Sequence, residues 1–254
     1  MATMNDTEID REIAAGGLVR KNDGHQASGA CYELRMGDVY YDLTEDGARF
    51  EVASDGHAII KPGHQVVLIT REELDVPQDV LARIVSKGSL FSIGLSAVST
   101  YADPGFEGQI GIVTHNISSQ YILIPFGEPI AKIDFSRLSS PAIHKYRGQH
   151  GFETQIWPIK NQLRKSHSEV ANDPRVKSEK EEAYALLPQV TSEFLRKIEK
   201  RIKWTDFGIL LAILLNALAL AASSTDFSDQ VVSFVLSVAA SVLVAILLIV
   251  VGRS

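Results

Sequence analysis

Short runs of apolar or alternating residues recur along the first 160 positions. They stand at 65–70, 81–86, 109–114, 121–125 and 130–135. Between them lie turn-forming clusters: Lys61-Pro62-Gly63, Asp103-Pro104-Gly105 and Phe126-Gly127-Glu128-Pro129. Alternation lets a strand bury one face, and Gly or Pro punctuates it. Regular short strands with such breaks predict an all-β barrel or sandwich. Ahead of them, Asp6 or Thr7 is placed to cap a short helix over 8–15, ended by Gly16-Gly17.

The pattern changes after residue 158. Over 159–186 Lys, Glu, Ser, Asn and Gln dominate, which predicts a linker or a solvated helix. Leu187, Val190, Phe194, Leu195, Ile198 and Ile202 then recur at three- and four-residue steps, the spacing of an amphipathic helix with Pro188 in its first turn. Two runs nearly free of charge follow, 207–224 and 231–251, joined by the polar turn 225–230. A helix crosses a bilayer with roughly 20 apolar residues. The second run has that length, and the first reaches it once Ile202 and Trp204 are counted. The expectation is a two-helix transmembrane hairpin, with a buried hairpin in a soluble protein as the competing reading. Arg196, Lys197, Lys200, Arg201 and Lys203 precede the first run and Arg253 follows the second, while the turn carries two aspartates and no Lys or Arg. Positive charge stays on the cytoplasmic side. The expected location is therefore the inner membrane, multi-pass, with the soluble domain and both termini cytoplasmic. The expected domains are 1–158, a linker and amphipathic helix over 159–203, and a hairpin over 204–254.

Charge and cysteine content narrow the partners. The formal net charge is -6, and no basic stripe with interleaved aromatics is present, so nucleic acid is not expected as a partner. The single cysteine, Cys31, can form no internal disulfide, which fits a reducing compartment. Neither it nor the seven scattered histidines have metal-ligand spacing, so no metal site is expected. The first ten residues are polar and acidic, unlike a signal peptide.

Several blocks occur in an informative order. They are Asp10-Arg11-Glu12-Ile13, Tyr32-Glu33-Leu34-Arg35-Met36-Gly37 and Lys61-Pro62-Gly63, then Val76-Pro77-Gln78-Asp79-Val80 and the loop Ser86-Lys87-Gly88-Ser89-Leu90-Phe91-Ser92-Ile93-Gly94-Leu95. Asp103-Pro104-Gly105-Phe106-Glu107-Gly108 and Lys145-Tyr146-Arg147-Gly148-Gln149 complete the set. In this order they resemble the dCTP deaminase and dUTPase superfamily over about residues 10–151. The resemblance implies a distorted β-barrel of the β-clip type, assembled as a homotrimer, with nucleotides between subunits. Such nucleotides are of the deoxycytidine or deoxyuridine type. It nominates Lys87, Gly88, Ser89, Asp103, Lys145, Tyr146 and Gln149 for nucleotide binding. Backbone N–H groups and hydroxyls of a Gly/Ser loop can hold phosphate oxygens, and a cation with two further donors suits a triphosphate. No cofactor is demanded; Mg²⁺ would accompany a triphosphate, held largely through the phosphates themselves.

The chain also departs from the family. The deaminases' proton-shuttling glutamate stands three residues before an asparagine, here Asn116, and that position is Val113. Valine cannot transfer a proton. The loop's two arginines are Lys87 and Ser92, its first serine is Gly88, the usual Thr-Ala pair is Val98-Ser99, and a later glutamine is Lys132. Asp103 is retained; in dUTPases its counterpart orients water, and it equally suits a structural Asp-Pro-Gly turn. Glu107 is a nominal substitute acid. The expectation is a membrane-anchored, catalytically degenerate relative that senses a nucleotide and signals to its hairpin, with bacterial antiviral defence as one setting. The alternatives are an active, tethered dCTP deaminase, a dUTP diphosphohydrolase using Asp103, and a scaffold that clusters hairpins.

Overall fold

The computed structural model describes residues 2–148 and 157–222 and, within 231–241, all but 233, 236 and 240. The chain divides into two compact units, Met1–Asn161 and Gln162–Ser254.

The first unit is mainly β. Its strands are β1 (Ala2–Thr3), β2 (Leu18–Arg20), β3 (Tyr32–Asp42), β4 (Ala48–Glu51), β5 (His57–Ile60), β6 (Gln65–Thr70), β7 (Glu73–Asp75) and β8 (Val80–Ser86). They continue as β9 (Ser99–Ala102), β10 (Glu107–Gly108), β11 (Gly111–His115), β12 (Ile122–Pro125) and β13 (Pro129–Arg137). The largest sheet runs β11-β6-β3-β13-β8-β9, with β1 on β13 and β4 on β3; β10-β7-β2 and β12-β5 form two smaller sheets. Every strand pair is antiparallel. This is the curled antiparallel architecture that the strand pattern anticipated.

Among the described residues, two α-helices belong to this unit. The first, α1 (Asp6–Ala14), starts earlier than expected, because Asn5 and not Asp6 or Thr7 caps it. Asn5 Oδ1 accepts from Glu8 N–H at 2.9 Å, and Glu8 Oε2 accepts from Asn5 N–H at 2.9 Å. This reciprocal pair satisfies two of the free N–H groups at the helix start. The second, α2 (Gly88–Ser92), is a single turn after β8.

Successive side chains on a strand face opposite ways. In β3 and β6 both faces are buried. Tyr40, Val66 and Leu68 join the main core, whereas Val39, Tyr41, Val67 and Ile69 form a second cluster on the other face. Leu43, Val113 and Trp157 pack against that second cluster. Burial on both faces explains why Val66 to Ile69 read as one continuous apolar run.

β3 runs five residues past Gly37, where its register with β6 shifts. A Cβ at Gly37 would lie 2.9 Å from both Ile69 O and Thr70 O. The glycine therefore permits close backbone approach and does not end the strand.

In the second unit, α3 (His167–Val170) and α4 (Glu179–Ala185) precede α5 (Gln189–Ala222). Pro188 stands just ahead of α5. Tyr184 of α4 donates to Glu199 of α5 at 3.1 Å, Lys180 and Lys203 pair with the same carboxylate, and the Arg196 guanidinium lies 4.8 Å from the Tyr184 ring centroid. The lysines hold the Glu199 carboxyl down at about 2. A depressed carboxyl stabilises the fold above its unfolded value and loses that contribution as pH falls through its folded one. Helicity of a soluble 162–206 fragment is thus expected to decline as pH falls from about 4.5 to 2, and Glu199→Gln should weaken that dependence, the remainder coming from Glu169, Asp173 and Glu181, whose hydrogen bonds also hold their carboxyls down. Circular dichroism against pH checks this.

Among the described residues no helix is long and apolar enough to cross a membrane. The expected transmembrane hairpin is not supported by the described structure. The N-terminal half of α5 carries Arg196, Lys197, Lys200, Arg201, Lys203 and Asp206, and the side chains at 216 and 219–222 of its second half lie outside the described residues. The turn 225–230 and most of the second apolar run lie outside the described residues.

Candidate functional site

The structure gathers the sequence-nominated residues into two groups. One surrounds the turn between β9 and β10. Phe106 N–H donates to Asp103 O at 2.9 Å, and Gly105 N–H donates to Val76 O at 2.9 Å. Gly105 has φ +82, a conformation that favours glycine, and the Lys145 side chain lies across it where a Cβ would stand. Tyr146 N–H donates to Pro104 O at 3.1 Å, and its ring meets Phe106 at 5.3 Å between centroids. Burial, and then the nearby Asp103 charge, push the Tyr146 phenol up. Asp103, Lys145 and Tyr146 thus form one cluster, with the Asp103 and Lys145 side chains exposed.

The second group lies at the start of α2. Lys87 precedes the helix in extended conformation, and its N–H donates to Ile130 O at 3.2 Å. Its ammonium pairs with Glu33 Oε1 at 2.9 Å. Gly88 and Ser89 are exposed beside it, and Ser92 Oγ donates to Ser89 O at 2.6 Å. Among the described residues no hydrogen bond or ion pair joins the two groups within one chain. Gln149 lies outside the described residues.

Val113 sits in β11, paired with Val67, and packs against the second apolar cluster. Asn116, just beyond, is fully buried. Its amide donates to Ile60 O at 3.1 Å and Gln120 O at 2.7 Å, and accepts from Ser118 N–H at 3.0 Å and Ser118 Oγ at 2.7 Å. Asn116 therefore ties the end of β5 to the loop after β11. Glu107, the nominal substitute acid, is engaged by Arg20 at 3.0 Å.

Sequence reasoning missed three arrangements. Glu33, the partner of Lys87, alternates with buried Tyr32 and Leu34, so strand period two was its only signal. A buried pair, Arg35 with Glu72, joins β3 to the turn before β7; Glu72 is fully buried and receives Arg35 Nε at 2.5 Å and Arg35 N–H at 2.8 Å. The third is a meeting of Asp42, Glu45 and His64, whose ligand atoms lie within 4.8 Å of one another. His64 Nδ1 is 2.7 Å from Asp42 Oδ2. Asp42 Oδ1 accepts from Thr44 N–H and Glu45 N–H, and the Lys61 ammonium sits on Glu45. These bonds close the turns at either end of the 42–65 segment. The ammonium holds a place beside the carboxylate that a cation would need.

The chain is similar to several known proteins. The dCTP deaminase of Thermococcus gammatolerans is 29% identical over 160 residues, covering 63% of this chain and 98% of that protein. The dCTP deaminase of Pyrococcus furiosus is 27% identical over 151 residues, covering 59% of this chain and 92% of that protein. Among solved structures, the 2'-deoxycytidine 5'-triphosphate deaminase of Agrobacterium tumefaciens aligns over 52% of this chain and 47% of its own, with TM-score 0.44 and 16% identity. The family described as dCTP deaminase-like matches residues 3–138, more than half of the sequence. This chain, with its antiparallel sheets and its Asp-Pro-Gly turn, belongs to the dCTP deaminase-like family.

Proposed function

We propose that the first unit binds a deoxycytidine or deoxyuridine nucleotide and does not deaminate it. The observation that carries this reading is the setting of Val113. The family resemblance puts a proton-shuttling glutamate there, whereas this chain has a valine packed against Val39, Tyr41, Val67 and Ile69. Without an acid or base at that place, proton transfer to the ring has no agent. Binding groups remain. Lys87 with the exposed Gly88-Ser89 turn suits phosphate oxygens, and Lys145 beside Asp103 supplies a second cation. Among the described residues no hydrogen bond or ion pair joins the two groups, which fits a homotrimer in which neighbouring subunits complete each pocket. Mg²⁺ would enter with a triphosphate.

The tail is proposed as a membrane anchor at the inner membrane. Phe207, Leu210, Ile213 and Leu214 of α5 are all about half exposed or more, and lipid would cover them. Nucleotide could act on such a tail only through different affinity for two arrangements of the protein.

A second reading has one observation in its favour. The Asp103 carboxylate is exposed beside Lys145 and Tyr146, a setting open to water and compatible with triphosphate hydrolysis. One experiment separates the readings. Detergent-purified protein is titrated with dCTP and dUTP in Mg²⁺ by calorimetry, and the mixtures are then resolved by chromatography. Binding without product is expected. Deaminated product from dCTP overturns the proposal, pyrophosphate from dUTP favours the second reading, and absence of binding sinks both.

A further inference from the structure

Trp157 follows the Lys145–Tyr146 arm in sequence and belongs to the first unit. Its ring lies 6.2 Å from that of Tyr41 between centroids, and it packs against the second apolar cluster. Gly111 makes room for it: a Cβ there would stand 2.5 Å from two carbons of the indole. Two residues later, Ile159 fills a similar notch, 2.8 Å from where a Cβ at Gly47 would be. Gly47 has φ +78, so glycine suits that turn on backbone grounds as well. Segment 157–159 is therefore fastened at two glycines, one at the start of β11 and one before β4.

Gly111 and Val113 are two residues apart on β11, so they present to the same face of the sheet. Val113 packs on the same apolar cluster as Trp157. We propose that the outer face of β3, β6 and β11 is the docking seat of the chain's own segment 157–159, and that this strap must lift before a ligand can reach β11 at Val113. The occupant is settled by what already sits there: an indole in a notch that any side chain at position 111 would fill. An aromatic of this size contributes much of the burial on such a face. Because Asn161 ends the first unit, the strap also fixes where the chain leaves it.

The test needs no nucleotide, so its outcome is separate from that of the binding experiment above. Cys31 is replaced by Ser, and Val113→Cys places a thiol under the strap. Its reaction rate with the aromatic disulfide reagent DTNB is measured in full-length protein, with and without Trp157→Ala. Removing the indole should speed labelling by about tenfold or more, as expected when local opening no longer limits access. Rates within twofold of each other would overturn the proposal. Should Trp157→Ala fail to fold, Trp204→Phe leaves Trp157 as the only tryptophan. Its fluorescence should then resist acrylamide quenching, and quenching as efficient as that of free tryptophan would overturn the seat.

Discussion

Replacing Glu72 by leucine should destabilise the first unit by about 3 to 5 kcal/mol, the usual consequence of breaking a buried ion pair from one side. The carboxylate is fully buried and takes two hydrogen bonds from one residue, Arg35 Nε and Arg35 N–H. Leucine leaves the guanidinium in place with its side chain only 13% exposed. Its remaining contacts, Asn22 O at 3.0 Å and Asp23 at 3.4 Å, lie toward the surface. A backbone donor loses its acceptor at the same time. The loss corresponds to a drop in Tm of roughly 6 to 20 °C for a unit of this size. Urea denaturation and thermal melts of the isolated residues 1–161 measure it. The double change Arg35→Met with Glu72→Leu should recover most of the loss, because no unpaired charge then remains. A single-mutant loss under about 1 kcal/mol would mean that water replaces the carboxylate, and that the pair does not hold β3 to the β7 turn.

Val113→Glu should be the second large effect, and it should not create a deaminase. The new carboxyl would share a partly buried face with the apolar Val67, Tyr41, Ile69 and Trp157. Burying an unpaired polar group costs about 1 to 3 kcal/mol. Desolvation raises such a carboxyl above its unfolded value. The penalty is then full above the raised value and fades as pH falls through it, so the variant should regain stability on acidification. A positioned proton shuttle supplies about 10²- to 10⁴-fold in rate. Here the shuttle would lack its loop arginines, whose positions are Lys87 and Ser92. Chromatography of dCTP incubations should find no uracil nucleotide. Its formation would show that the pocket retains more of the deaminase than Val113 suggests.

The strand core was legible where apolar residues alternate or run together. Gln65–Thr70 emerged with its limits intact, because burial on both faces leaves no polar interruption. β3 was legible only to Gly37, since a glycine and an aspartate look like a break; the backbone contact that the glycine permits is 32 residues away and leaves no local trace. Asn5 was missed as a cap although the Asn-x-x-Glu spacing carries that signal, because the acidic Asp6 and Thr7 compete for the role. Of the nominated residues, Asp103, Lys145 and Tyr146 lie around one turn. The seating of Trp157 on Gly111 had no signature, since it joins residues 46 positions apart through a side chain that is not there.

β13 pairs with β1, β3 and β8 at once. It is the last strand among the described residues and a central one in the sheet. A ribosome adding about 5 to 20 residues per second needs about 7 to 27 s to reach Arg137. Until then β3 and β8 lie without the strand that joins them, and the first residues have nothing to pair with. The apolar run from Phe207 follows about 4 to 14 s later. Synthesis order thus gives the sheet an interval in which to assemble before the chain's own apolar segment emerges. A protein with the same parts in reverse order would expose that segment to open strand edges.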